Sequence, residues 1–213
     1  MKRPTVLLAD DHAVFLEGLR KILEPELEVV KAVRNGRDMV IEALRLKPDV
    51  VLADVSMPLL NGIEALRRIK KDDDRAKVIF LTMHTDSVYA AEALEAGARG
   101  YLLKQSAARE IVKAIRTVLR GRMYVSLPIS EHVLDGLRKT SRNGKEGIHK
   151  LTGRQREVLQ LVAEGLSAKE IAVILNVSHR TVEFHKHRIM EELGLHTTAE
   201  LTRFAIEHRV IAF

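Results

Sequence analysis

The chain has no cysteine, so disulfides, thiolate nucleophiles and cysteine-ligated zinc are all excluded. No apolar run approaches the roughly 18 residues of a membrane span. Asp10 and Asp11 cut the apolar stretch behind the basic pair Lys2 and Arg3 too short for a secretion signal. A cytoplasmic protein with no membrane partner is therefore expected. Internal repeats and low-complexity tracts are missing too. No part carries enough excess charge to mark a nucleic-acid-binding half. Lys+Arg outnumber Asp+Glu by only 21 to 18 over residues 1–121, 4 to 2 over 122–144 and 10 to 9 over 145–213. Six of the nine histidines do fall after residue 145. What is present, 46% hydrophobic and 30% charged residues, is globular composition and excludes disorder for the chain as a whole. With 213 residues, one large domain or two small ones fit.

The first half alternates short β-branched runs with longer helical patterns. Strands are expected at Thr5–Ala9, Leu27–Ala32, Val50–Ala53, Val78–Thr82 and Gly100–Leu103. Between them apolar residues recur at helical spacing, as in Val14, Phe15, Gly18, Leu19, Ile22 and Leu23. Five strands alternating with five helices predict a doubly wound α/β domain over residues 1–121, with a five-stranded parallel sheet. Ligands of such sheets bind beyond the carboxyl ends of the strands.

Residues 122–147 change character. Ser126–Leu137 fits one short helix, and Lys139–Lys150 is polar and aperiodic, as a flexible linker is. From residue 148 to 213 a small all-α domain is expected. Thr152, Ser167 and Ser178 are placed to cap successive helices, and Thr197 or Thr198 to open a fourth.

Asp10 and Asp11 end the first predicted strand and Asp54 the third. Thr82 ends the fourth, and Lys104 follows the fifth. All five converge on one edge of the sheet. Three carboxylates at one point repel one another and call for a cation. Oxygen ligands without sulfur favour Mg²⁺, and a lysine and a hydroxyl beside it complete a pocket for a phosphoryl group. A flavodoxin-type nucleotide site wants instead a Gly/Ser/Thr-rich loop after the first strand, where Asp10-Asp11-His12 stand. Singly, each residue is explained as a helix cap or strand end; as a set they are not. His12 fits either a helix start or a neighbour of the metal site. Pro58 is expected to shape its loop, Met57 to pack, and Asp72-Asp73-Asp74 to be solvated.

Asp10-Asp11, Asp54 in DVSMPLLNG, Thr82 in LTMH and Tyr101-Leu-Leu-Lys104 resemble the receiver domain of bacterial two-component response regulators over roughly residues 3–120. The resemblance implies that Asp54 accepts phosphate from a histidine kinase. It implies that Asp10, Asp11, Asp54 and the backbone carbonyl of Ser56 arrange Mg²⁺. Thr82 and Lys104 would bind the phosphoryl oxygens, Tyr101 would be an aromatic switch that turns inward, and Ser56 and His84 would tune phosphate lifetime. The sequence departs from the family where the lysine is often followed by a cis proline, because Gln105 stands there. A cis bond before a non-proline residue costs about 2.5–4 kcal/mol, so either that strain is carried or the loop differs.

In the second half, Ser167–Leu175, an Asn-containing turn and Ser178 have helix-turn-helix spacing. On a helical wheel Val182, Ile189 and Leu193 of the next helix face the core, with His185 and Lys186 at the flank. Arg180, Glu183, Phe184, His187, Arg188 and Glu191 lie opposite. An exposed Phe among cations suits a groove floor, where apolar contact with thymine and hydrogen bonds to base edges coexist. By itself this is also the pattern of an ordinary amphipathic helix. However, LTGRQREVLQLVAEGLSAKEIA, VSHRTVEFHKHRI and ELG resemble the LuxR-type helix-turn-helix over about residues 148–212. The resemblance implies that residues 179–193 are a recognition helix touching DNA through Arg180, Glu183, Phe184, Lys186, His187 and Arg188. The fourth helix would help pair two copies on a two-half-site operator. Glu183 and His187 depart from the basic residues common at those positions.

Together the two resemblances indicate a NarL/FixJ-type response regulator that dimerises on activation and acts on no external substrate. One rival is an enzyme with an aspartyl phosphate, such as a haloacid-dehalogenase-type phosphatase. That family wants a second acid two residues after its nucleophile, where His12 follows Asp10. The other rival, a phosphate-independent binding module, leaves the acidic set unexplained.

Overall fold

The computed structural model describes residues 3–83, 87–127, 129, 147–208 and 210–211. His84 and most of the expected helix Ser126–Leu137 and linker Lys139–Lys150 lie outside the described residues.

The first half runs β1 (Thr5–Ala9), α1 (Ala13–Leu23), β2 (Glu28–Val33), α2 (Gly36–Leu46), β3 (Val50–Asp54), α3 (Gly62–Asp72), β4 (Val78–Thr82), α4 (Ser87–Glu95), β5 (Gly100–Leu103), α5 (Ala107–Leu119) and β6 (Tyr124–Val125). The sheet order is β2-β1-β3-β4-β5-β6, and every pairing is parallel. β3 and β4 are buried throughout, which is why they read as unbroken apolar runs rather than alternating ones. Leu7, Val51, Phe80 and Tyr101 face the layer of α2, α3 and α4, where Met39, Leu66 and Ala90 meet them. Val6, Leu52, Ile79 and Leu102 face α1 and α5 through Leu16, Leu19, Ile111 and Ile115.

The expected sheet had five strands; the structure has six. β6 is two residues long, too short to show any alternation, and falls where a helix and linker were expected. Its pairing is made by tertiary contacts. Glu110 of α5 accepts hydrogen bonds from the Tyr124 hydroxyl at 3.1 Å and the Ser126 hydroxyl at 2.8 Å, which lays the segment along β5.

The second half begins with a 3₁₀ turn at Gly147–Lys150, inside the stretch expected as linker. It continues with α6 (Gly153–Ala163), α7 (Ala168–Leu175), α8 (His179–Leu193) and α9 (Thr198–Glu207). Thr152, Ser167, Ser178 and Thr197 cap these four helices, each side-chain oxygen accepting from the backbone N–H three residues on. Three are full capping boxes, with Gln155, Glu170 and Glu200 reaching back. Asn176 takes the left-handed conformation, φ 51°, that turns α7 sharply toward α8. Val158, Leu161, Ile171, Val182, Ile189 and Leu201 close one small core.

Candidate functional site

The parallel sheet delivers its chemistry to one edge. Lys104 Nζ, on a side chain only 6% exposed, lies 2.6 Å from Asp54 Oδ2 and 2.7 Å from Asp10 Oδ2. Asp10, Asp11, His12 and Asp54 each bring a potential ligand atom into a cluster no wider than 4.8 Å. His12 resolves as a neighbour of the acids: its N–H donates to Asp10 Oδ1 at 2.9 Å, and its Nδ1 lies 3.0 Å from Asp10 and 2.9 Å from Asp11. The Ser56 N–H approaches Asp54 Oδ1 at 3.4 Å. Thr82 is fully buried, and its carbonyl accepts from the Lys104 N–H at 2.7 Å. Tyr101 is fully buried one strand away, its ring 6.5 Å from Phe80. Phe15, one of the helically spaced apolar residues of α1, lies with its ring beneath the Lys104 ammonium, 4.8 Å from the centroid.

Two local devices shape this edge. Where a Cβ on Gly62 would stand, the Asp54 carbonyl is 2.2 Å away, so only glycine lets α3 start directly under the end of β3. After Lys104, no cis peptide occurs among the described residues. The loop differs from the proline pattern instead, making a tight turn in which Ser106 N–H donates to Leu103 O and Ala107 N–H to Lys104 O.

Burial pushes the Asp54 carboxyl above its ordinary range, against the pull of Lys104. Burial alone lowers Lys104, but the carboxylates of Asp54 and Asp10 outweigh it and hold the ammonium charged. Asp11 Oδ1 is shielded from solvent, with His12 Nδ1 2.9 Å away. Three carboxylates converging there, one with a solvent-shielded oxygen, fit a hard divalent cation.

On α8, Val182 and Ile189 are buried and Leu193 is half-buried, while Arg180, Glu183, Phe184, His187 and Arg188 are exposed, Phe184 by 60%. Lys186 and His185 sit half-buried at the flank, and burial beside Arg154 lowers the His185 pKa. The outer face is pre-paired at helical spacing: His179 Nε2 lies 3.8 Å from Glu183, and Arg188 3.1 Å from Glu191.

Sequence reasoning missed the seam between the halves. Glu157 on α6, only 4% exposed, is ringed by Arg37 of α2, Arg68 of α3 and Arg154. Glu64 of α3 pairs with both Arg67 and Arg156. Gln160 and Glu164 reach the loop that follows Asp54. The available signal was Glu157, Gln160 and Glu164 along one side of α6 and its C-cap, a spacing shared by any solvated face.

A family model described as "Response regulator receiver domain" matches residues 6–116, and one described as "Bacterial regulatory proteins, luxR family" matches residues 149–205. The chain is 36% identical to the transcriptional regulatory protein MctR of Rhizobium johnstonii, over 97% of this chain and 95% of MctR. It is 35% identical to the response regulator UvrY of Escherichia coli, over 95% of this chain and 94% of UvrY. Among solved structures it is similar to RcsB from Salmonella enterica serovar Typhimurium bound to promoter P1flhDC with the phosphomimetic BeF3−. That similarity has a TM-score of 0.58 at 29% identity and covers 95% of this chain and 98% of RcsB.

Proposed function

Since the chain belongs to the two-component response regulators that carry a LuxR-family DNA-binding domain, and so regulates transcription by binding DNA, we propose that phosphoryl transfer from a histidine kinase to Asp54 gates its DNA binding. The observation that carries this reading is the Lys104 ammonium held between the carboxylates of Asp54 and Asp10 at 2.6 and 2.7 Å. An Asp54 oxygen attacks the phosphorus, and the bond from phosphorus to the donor nitrogen breaks. Lys104 and Thr82 receive the phosphoryl oxygens. Asp10, Asp11, Asp54 and the Ser56 carbonyl offer the oxygen donors that suit Mg²⁺, which when bound offsets the charge of the phosphoryl group. Slow acceptance and hydrolysis of that group is the only chemistry we assign to the chain. Inward-packed Tyr101 is assigned the switch role.

Phosphorylation is expected to raise the dimer population and DNA affinity together. Two linked half-site contacts gain from effective concentration, so a modest coupling in the receiver domain produces a larger change in affinity. Sedimentation and DNA titration with and without BeF3− and Mg²⁺ check this. An unchanged mass distribution together with unchanged affinity rejects the gating.

Arg180, Glu183, Phe184, Lys186, His187 and Arg188 are proposed to meet the DNA. Among these, Glu183 projects a carboxylate toward a phosphate-rich partner, which is unfavourable unless it finds a donor. Cytosine N4 is the donor the major groove offers. Glu183→Ala is expected to relax selectivity at one base pair per half-site by about 1–3 kcal/mol. Arg188→Ala is expected to weaken all sequences alike and lower the salt slope by about one per half-site. Titrations against an operator library at two salt concentrations separate the two. Uniform tightening by Glu183→Ala would show a merely repulsive charge.

A further inference from the structure

The helix expected to meet DNA has no surplus of fixed positive charge. Arg180, Lys186 and Arg188 of α8 are matched by Glu183, Glu191 and Glu192. With neutral imidazoles, α8 therefore brings no net charge of its own to a polyanion. Its exposed side carries histidines instead. His179, Glu183, His187 and Glu191 stand at every fourth position, and all four are exposed. His179 Nε2 lies 3.8 Å from Glu183 Oε1, and His187 Nε2 lies 3.4 Å from Glu191 Oε1.

These charges do not serve the helix itself. His179 is the first residue of α8, where the helix dipole repels a cation. Glu191 and Glu192 lie in the last turn, where it repels an anion. Base before acid is also the weaker order for a pair four residues apart. The packed helices supply no partner either. From α6, Arg154 faces His185, and Gln155 donates to Glu192. Arg156 and Glu157 of α6 pair with the first half. On α7, Glu170 accepts from Ser167, and Lys169 is exposed beside it. On α9, Glu200 accepts from the His196 and Thr197 N–H groups, and Arg203 faces Glu207. Among the described residues, each of the two histidines has its ion-pair partner within α8.

We propose that His179 and His187 meet DNA phosphates as imidazolium, so that each recognition helix takes up protons when it binds. This rests on α8 being the DNA-contacting helix, and it adds His179 to that surface.

The donor count requires the proton. A neutral imidazole has one N–H and one lone pair, whereas the imidazolium donates from both nitrogens. Each ring turns Nε2 toward a carboxylate, which leaves Nδ1 for a phosphate oxygen. Two acceptors on one ring need two donors, so a solvent proton joins the ring as the complex forms. The charge also matters. Once protonated, each histidine turns its glutamate from a bare anion facing phosphate into half of a neutral pair. Glu183 faces His179 through Oε1, so its other oxygen stays free for a base. Histidine is the side chain that ordinarily changes charge between about pH 5 and 8, where carboxylates stay ionised. A phosphate at contact favours the charged form by about tenfold per histidine, or about a hundredfold per helix. The sign follows. DNA holds the rings charged to higher pH than the free protein does, so affinity rises as pH falls through that interval. It levels off once the free rings are charged as well.

The test titrates the full chain with one fluorescent duplex of arbitrary sequence, from about pH 8 to about pH 5.5. Ionic strength is constant, and EDTA keeps metal from bridging a histidine–glutamate pair. Parent affinity is expected to rise about a hundredfold across this range. His179→Gln with His187→Gln keeps polar side chains without the charge, and is expected to lose most of that rise. His179→Lys with His187→Lys fixes the charge. That variant is expected to bind at high pH as tightly as the parent does in acid, and to change little on acidification. Both positions are exposed, and matching unfolding transitions verify that each variant is folded. Calorimetry near neutral pH in two buffers of different ionisation heat counts the protons. About one per chain is expected for the parent and near none for the glutamine pair. A pH dependence that survives in the glutamine pair, or binding of the parent without proton uptake, overturns the proposal. Arg180→Ala with Arg188→Ala separates this from the reading beneath it. Unchanged affinity in the alanine pair means that another face meets the DNA. Weakened affinity there, with the pH dependence intact in the glutamine pair, means that α8 binds with neutral histidines.

Discussion

Asp54→Asn is expected to abolish labelling by radioactive acetyl phosphate while leaving the thermal unfolding transition within a few degrees of the parent. The amide is nearly isosteric with the carboxylate but offers no nucleophilic anion. It leaves Asp10 to neutralise Lys104, which lies 2.7 Å from it. Burial raises the Asp54 pKa, so replacing its charged form by a neutral one removes a desolvation cost that offsets the lost ion pair. The fold therefore tolerates the change and the chemistry does not. Asp11→Ala serves as the partial counterpart: labelling weakens through poorer metal binding and recovers in part with excess Mg²⁺. Undiminished labelling of Asp54→Asn would remove Asp54 from its assigned role.

Lys104→Met is expected to have the largest effect on stability of any single change at this edge. The substitution keeps an unbranched chain over Phe15 but leaves Asp10 and Asp54, 2% and 6% exposed, facing each other without a cation. Breaking a buried charge pair by removing one partner costs about 3–5 kcal/mol, because the remaining charge stays buried. Here two carboxylates share one lysine, which favours the upper part of that range. Urea unfolding in the presence of a chelator should show the loss, and millimolar Mg²⁺ should return much of it by restoring a positive charge among the same oxygens. A variant as stable as the parent without metal would mean that the carboxylates are solvated and the ion triad contributes little.

The sheet edge was legible because parallel α/β topology follows from the alternation of apolar runs. Once β1, β3, β4 and β5 are parallel neighbours, Asp10, Asp54, Thr82 and Lys104 must end on one side. The caps of the helical half were legible for a similarly local reason: Thr152, Ser167 and Ser178 satisfy orphan N–H groups of their own helices. β6 was not legible. Tyr124 and Val125 carry no periodicity, and their pairing depends on Glu110 reaching them from α5. Phe15 matched the apolar pattern of α1, and nothing in that pattern distinguishes a core ring from one beneath an ammonium.

By itself, then, the sequence determined what is periodic or local: the order of strands and helices, the capped helix-turn-helix, and the convergence of three acids, a hydroxyl and a lysine. Tertiary structure alone decided what depends on residues distant in the chain. It set Gln160 and Glu164 against Leu59 and Asn61, about a hundred positions away, and buried Glu157 among three arginines from both halves. The physical reason is that a polar side chain on a helix reads as solvated until a partner with matching donors and acceptors is brought against it. That matching is a property of two folded surfaces, and no spacing within either one encodes it.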